Sequence, residues 1–145
     1  LLNKEKFTYV EPFCGAGAVY FHLNNLTGKN VINDFDDQVI NFYKVFARND
    51  PSFTNELHKI GKITDHDKLE LTYYEQRNKD KNNGLKTLSD VEQGIRFFVV
   101  NQLAFSGMRR FNSSGEFNVP FGNYKNPEII NENHLKEILH TITLY

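Results

Sequence analysis

Apolar residues along this chain of 145 residues switch between strand-like runs and helical spacing. Phe7 to Val10 forms a short apolar run, and after an acid and two glycines Val19, Leu23 and Leu26 recur at helical intervals. The pattern predicts a strand over 7–10, then a helix from Ala18 to Leu26 with those three residues on one face. Val31 and Ile32 predict a second strand. Asp36 can cap a helix carrying Val39, Ile40, Phe42, Tyr43 and Phe46, which ends before Asp50-Pro51. Residues 53–76 predict helix interrupted near Gly61. The polar run 78–88, Asn-Lys-Asp-Lys-Asn-Asn-Gly-Leu-Lys-Thr-Leu, predicts a mobile loop. Ser89-Asp90-Val91-Glu92 is a capping box opening a helix to about Leu103. Between Phe111 and Phe117, a Ser-Ser-Gly centre predicts a short turn joining two extended arms. Asn131 to His140 predicts a last helix and Ile142 to Tyr145 an opening strand, so the sequence reads as cut rather than finished.

Composition narrows this only modestly. The length suits one domain with a real core. A net charge of −1 gives no overall nucleic-acid signature. Residues 94–126 are locally positive, with Arg96, Arg109, Arg110 and Lys125 against Glu116, which predicts an anion-binding face. The N-terminal Leu-Leu-Asn-Lys-Glu-Lys is too short and polar for a signal peptide, and no membrane contact is expected. The single cysteine, Cys14, fits a reducing cytoplasm and reads as a small packing residue rather than a nucleophile. Five histidines without paired ligand spacing predict no metal site.

The candidate chemistry sits in residues 9–17, Tyr-Val-Glu-Pro-Phe-Cys-Gly-Ala-Gly. A strand, an acid, two glycines and a helix make a site for an adenosine-containing cofactor. Glycine permits close approach of the backbone, and the helix start offers free N–H groups. Glu11 would repel a pyrophosphate but suits the ammonium of S-adenosylmethionine (SAM). The dinucleotide fingerprint G-x-G-x-x-G fails at Tyr20. Asp34, about 20 residues beyond Gly15, stands where a ribose-binding acid belongs, a spacing that serves NAD and SAM alike. A plain glycine turn with a solvated Glu11 is the bland alternative.

Three blocks together resemble the Dam-like, D12-class DNA adenine-N6 methyltransferases. Glu-Pro-Phe-Cys-Gly-Ala-Gly-Ala-Val-Tyr-Phe (11–21) is similar to that family's SAM loop. Ile-Asn-Asp-Phe-Asp-Asp-Gln-Val-Ile-Asn-Phe-Tyr (32–43) is similar to its ribose block. The run 105–127, from Phe-Ser-Gly-Met-Arg-Arg-Phe to Tyr-Lys-Asn-Pro, is similar to its recognition hairpin. The resemblance implies Glu11, Pro12, Phe13, Gly15 and Gly17 around the methionine part of SAM, Asp34 on the ribose, and Phe35 against the adenine. It implies that Arg109, Arg110 and Asn112 contact DNA, with Phe111 as a wedge into the base stack, and that Tyr124 and Lys125 meet the DNA backbone. Such a wedge suits an enzyme that extrudes its target adenine.

The resemblance also implies an α/β, Rossmann-like but partial SAM-dependent methyltransferase fold. Residues 1–50 would bind SAM. Residues 51–130 would form an inserted, mainly helical recognition module with a β-hairpin, and 131–145 would return to the first part. The implied partner is duplex DNA, with a cognate restriction endonuclease possible in the same system. The family's Asp-Pro-Pro-Tyr catalytic motif has two imitations here, Asp50-Pro51-Ser52-Phe53 and Asn118-Val119-Pro120-Phe121. The first reads as a helix stop and the second as part of the hairpin block, so no catalytic residue is assigned. The family's Gly-Gly-Lys segment is also absent, and the catalytic strand is expected beyond Tyr145. A weakly active or inactive piece follows. The alternatives are a non-catalytic DNA-binding fragment and a SAM-dependent enzyme acting on another amine, such as a protein glutamine. Ser106 and Met108 depart from the Asn and Leu common in the GATC-reading subgroup, which leaves the recognised sequence open.

Overall fold

The computed structural model describes residues 8–23, 29–133 and 136. The expected last helix falls mostly outside these residues, and the expected C-terminal strand falls wholly outside, as do Phe7 and Leu26. Strands β1 (Tyr9–Glu11) and β2 (Asn30–Ile32) pair in parallel, with Val10 opposite Val31 and Glu11 opposite Ile32. Helix α1 (Ala18–His22) lies between them in sequence, as a parallel pair requires of its crossover.

Four further helices follow, each opened by a side-chain cap. Asp36 accepts from Gln38 N–H at α2 (Asp37–Ala47), and Asp50 accepts from Ser52 N–H at α3 (Pro51–Gly61), with Pro51 in the first turn. Asp65 caps α4 (His66–Arg77), and the Ser89–Glu92 box opens α5 (Asp90–Leu103) as predicted. Helix α5 is the spine, packing on α2, α3 and α4. Val45 and Phe46 of α2, Phe53 and Leu57 of α3, Tyr73 of α4 and Val99 and Leu103 of α5 share one core. Phe117, Val119 and Phe121 join it from the segment after α5.

That segment doubles back in two antiparallel arms. Ala104 pairs with Phe121 and Phe111 with Phe117, and Asn118 N–H donates to the Arg110 carbonyl at 3.0 Å. Between the two bridges the first arm bulges over 105–109, where Ser106 and Gly107 take positive φ of 53° and 61°.

Three expectations change. On α1 the buried residue is Tyr20, which packs on Tyr9 and Phe21, while Val19 stands 56% exposed. One short turn of helix is oriented by its largest ring rather than by its aliphatic spacing. The run 78–88 is not a free loop: Asn78–Thr87 folds as 3-10 turns, with Asn82 and Asn83 left-handed. Buried Asp80 anchors it, accepting from Arg96 Nη2 at 2.5 Å and from Phe117 N–H at 2.7 Å. Arg96, 2% exposed, therefore belongs to the core and not to an anion-binding face. Its other contacts are the Arg77 carbonyl at 3.2 Å and Gln38 Oε1 at 3.1 Å.

Candidate functional site

Parallel strands bring their C-terminal ends together, and there the residues predicted for a cofactor meet. Glu11 closes β1, and Asp34 follows β2 by two residues. Asp34 ties the two turns: its Oδ2 accepts from Gly15 N–H at 2.8 Å and its Oδ1 from Asp36 N–H at 2.9 Å. Those backbone donors, Asp36 before Gly15, hold its carboxyl below the ordinary carboxylate range. The Cys14 N–H bonds the Asn33 carbonyl at 2.8 Å, and Tyr43 donates to the Gly15 carbonyl at 2.9 Å. Both glycines have positive φ, 48° at Gly15 and 70° at Gly17. A Cβ on Gly17 would lie 2.6 Å from the Phe21 ring, whereas one on Gly15 would project into open space. One glycine is thus required by packing, and the other leaves its outer face clear.

Two carboxylates face this turn. Glu11 accepts from the Tyr9 hydroxyl at 2.9 Å, and partial burial together with that bond pushes Tyr9 up to about 12. Cys14 is 5% exposed and packs against Val39 and Tyr43. Burial first, then the Asp34 and Glu11 charges, push its thiol up, which suits packing and not nucleophilic attack. Burial and the same two acids raise Tyr43. Negative charge is therefore concentrated beside the glycine turn. Phe13 is 80% exposed and Phe35 is 95% exposed, so Phe35 is no core aromatic.

The residues predicted to meet DNA share the hairpin, but their surroundings differ. Arg110 is exposed, with Nε on Asn118 Oδ1 at 2.8 Å. Phe111 is 41% exposed and packs edge-on against Phe117 at 5.6 Å. Asn112 closes the turn, its Oδ1 accepting from Ser114 and Glu116 N–H. Tyr124 donates to the Ala104 carbonyl at 3.0 Å, and Lys125 is exposed. Arg109 turns inward to Asp36 and Asn101 and lies over the Phe97 ring. The bulge adds two apolar residues to which sequence reasoning gave no role of their own, Phe105 at 50% and Met108 at 39% exposure. Positive φ at Ser106, visible only in the backbone, is what presents them.

Neither imitation of the catalytic motif forms a site of its own. Asp50 caps α3, and Val119 and Phe121 are core residues. Among the described residues no cluster of His, Cys, Asp and Glu could hold a metal ion, and no helix is long and apolar enough to cross a membrane.

Residues 1–144 match the family described as D12 class N6 adenine-specific DNA methyltransferase. The chain belongs to that family. Its relatives include the Type II methyltransferase M1.LlaDCHI of Lactococcus lactis subsp. cremoris, 35% identical over 99% of this chain and 48% of the relative. Another is the Type II methyltransferase M.MjaIII of Methanocaldococcus jannaschii, 35% identical over 90% of this chain and 46% of the relative. A DNA adenine methylase of Haemophilus influenzae is 31% identical over 83% of this chain and 40% of its own length. The chain spans about half the length, or less, of these relatives. Membership implies a methyl donor, and the five helices and two-stranded parallel sheet among the described residues are compatible with part of a methyltransferase fold.

Proposed function

We propose that this chain forms the cofactor-binding and DNA-recognition part of an enzyme that transfers a methyl group from SAM to adenine N6 in duplex DNA. The observation that carries the cofactor reading is the pair of carboxylates at the ends of β1 and β2: Asp34 on the Gly15 N–H, whose glycine has an open outer face, and Glu11 close enough for its charge to act on Cys14. A pyrophosphate beside Glu11 would be repelled, whereas the ammonium of SAM is attracted. The donor set fits: Glu11 can accept from the ammonium, and Asp34 keeps acceptor capacity for ribose hydroxyls beyond its two backbone bonds. Phe35 can cover the adenine ring, with Phe13 beside the methionine part. When bound, SAM supplies the electrophilic methyl group. The protein's own contribution here is to bind and orient the donor.

For the hairpin, Arg110 is the base-reading candidate, since guanidinium can bond guanine bidentately. Phe111 and the bulge residues Phe105 and Met108 offer apolar surface against an opened base stack. Lys125 and Tyr124 are the candidates for contacts to backbone phosphates, which would orient the duplex. This makes residues 51–130 a recognition module set against a SAM-binding part at 1–50. Relatives named as Type II methyltransferases support a role beside a restriction endonuclease, and a DNA-acting enzyme with a buried free cysteine suits the cytoplasm.

Incubating the intact protein with methyl-labelled SAM and plasmid DNA, then digesting the DNA to nucleosides, tests the proposal. Label in N6-methyladenine is expected. Label in protein instead would favour another amine substrate, and duplex binding without any label would favour a binding module.

A further inference from the structure

Two neighbouring arginines at the hairpin, both expected to meet DNA, are used differently. Arg110 stays exposed on the arm, but Arg109 spends its guanidinium on the protein. Its Nη2 pairs with Asp36, its Nη1 donates to Asn101 at 3.2 Å, and its centre lies 5.0 Å from the Phe97 ring and 5.6 Å from Phe111. Only 29% of the Arg109 side chain and 32% of the Asp36 side chain is exposed. Asp36 is no ordinary surface acid. Its other oxygen caps α2 through Gln38 N–H at 2.9 Å, and its own N–H donates to Asp34 at 2.9 Å. Asp34 in turn holds Gly15. An unbroken series of polar contacts therefore runs from the bulge of the hairpin to the glycine turn after β1.

We propose that Arg109 is a positioning residue rather than a DNA contact, tying the hairpin bulge to the 34–36 turn so that cofactor and DNA each strengthen the binding of the other. The inference rests on the SAM and DNA reading above. A ligand held by Asp34 fixes the 34–36 turn, and through Asp36 it removes freedom from the bulge before DNA arrives. By linkage the effect must be equal in the other direction.

The test separates the tie from the cap and from a direct DNA contact. Asp36→Asn keeps a good N-cap acceptor but loses the charge facing Arg109. Arg109→Met keeps the apolar stem over Phe97. SAM affinity is measured by calorimetry on the intact protein, with and without a short duplex carrying a central GATC, at low salt. In the wild type the duplex should tighten SAM about fivefold or more. In either variant, and equally in the double variant, that factor should fall toward one, while affinity for SAM alone changes by less than about twofold, a small fraction of the coupling. The slope of duplex affinity against salt should stay as in the wild type for Arg109→Met, because no phosphate contact is lost. Full coupling retained in both variants overturns the tie. A slope reduced by about one in Arg109→Met also overturns it, by making Arg109 a phosphate contact. A wild type that binds both ligands without coupling overturns it as well. A wild type that binds neither overturns the cofactor and DNA reading itself.

Discussion

The Gly15 N–H donates to the Asp34 carboxylate at 2.8 Å, so the turn after β1 is fastened to the turn after β2. Tyr43 completes the clamp from α2 by donating to the Gly15 carbonyl at 2.9 Å. Tyr43→Phe removes that bond and leaves the ring. It should cost about 0.5–1.5 kcal/mol in urea unfolding and weaken SAM binding. An unchanged midpoint with unchanged affinity would show that the clamp is idle.

Gly15 and Gly17 should separate under substitution by alanine. At Gly17 the new Cβ meets the Phe21 ring at 2.6 Å and the Tyr43 hydroxyl at 2.9 Å, at a φ of 70°. Destabilisation of about 1–3 kcal/mol is expected from the backbone strain alone. At Gly15 the Cβ enters open space, so strain is the only structural cost and the larger loss should be in ligand affinity. Thermal unfolding and calorimetry on both variants check this, and the reverse ranking in stability would contradict it.

Asp80 and Arg96 are the buried ion pair of the described residues, with side chains 5% and 2% exposed. Asp80→Ala leaves the buried Arg96 guanidinium without its counter-charge and the Phe117 N–H without its acceptor, and should cost about 3–5 kcal/mol. The double variant Asp80→Leu/Arg96→Met should be less damaging than Asp80→Ala, since no charge remains buried unpaired. Urea unfolding of the variants decides, and a double variant worse than Asp80→Ala would refute the account.

The helix caps and the cofactor turn set an acid limit. Asp34, Asp50, Asp90, Glu92 and Glu116 are all held below their ordinary values, chiefly by backbone or side-chain hydrogen bonds. Their contribution is fully present above the unfolded carboxylate values, near 4, and is lost as pH falls through the lowered native ones. The unfolding midpoint should therefore decline below about pH 4, where these carboxylates begin to protonate. A midpoint that rises on acidification would contradict this assignment.

What was legible in the sequence was local. Asp36 and the Ser89–Glu92 box act within a turn of where they stand, so the sequence reveals them, whereas Asp50-Pro51, which reads as a helix stop, is also the N-cap and first turn of α3. The break between α3 and α4 near Gly61 is equally local, and so is the turn between Phe111 and Phe117. Asp80 was hidden because a lone acid within Asn-Lys-Asp-Lys-Asn-Asn resembles a solvated loop until its partner 16 residues on is folded against it. Arg109 and Asp36 lie 73 positions apart, and nothing in either neighbourhood marks the contact. The outward stance of Phe35 depends on the backbone after β2, which no residue type in the sequence reveals.

Calorimetric titration of SAM into the intact protein and into Asp34→Ala, with circular dichroism to confirm folding, tests the cofactor site most directly. Saturable binding by the wild type and its loss by more than tenfold in a folded Asp34→Ala are the predicted results. No binding by the wild type, or equal binding by the two, would contradict a SAM site at the ends of β1 and β2.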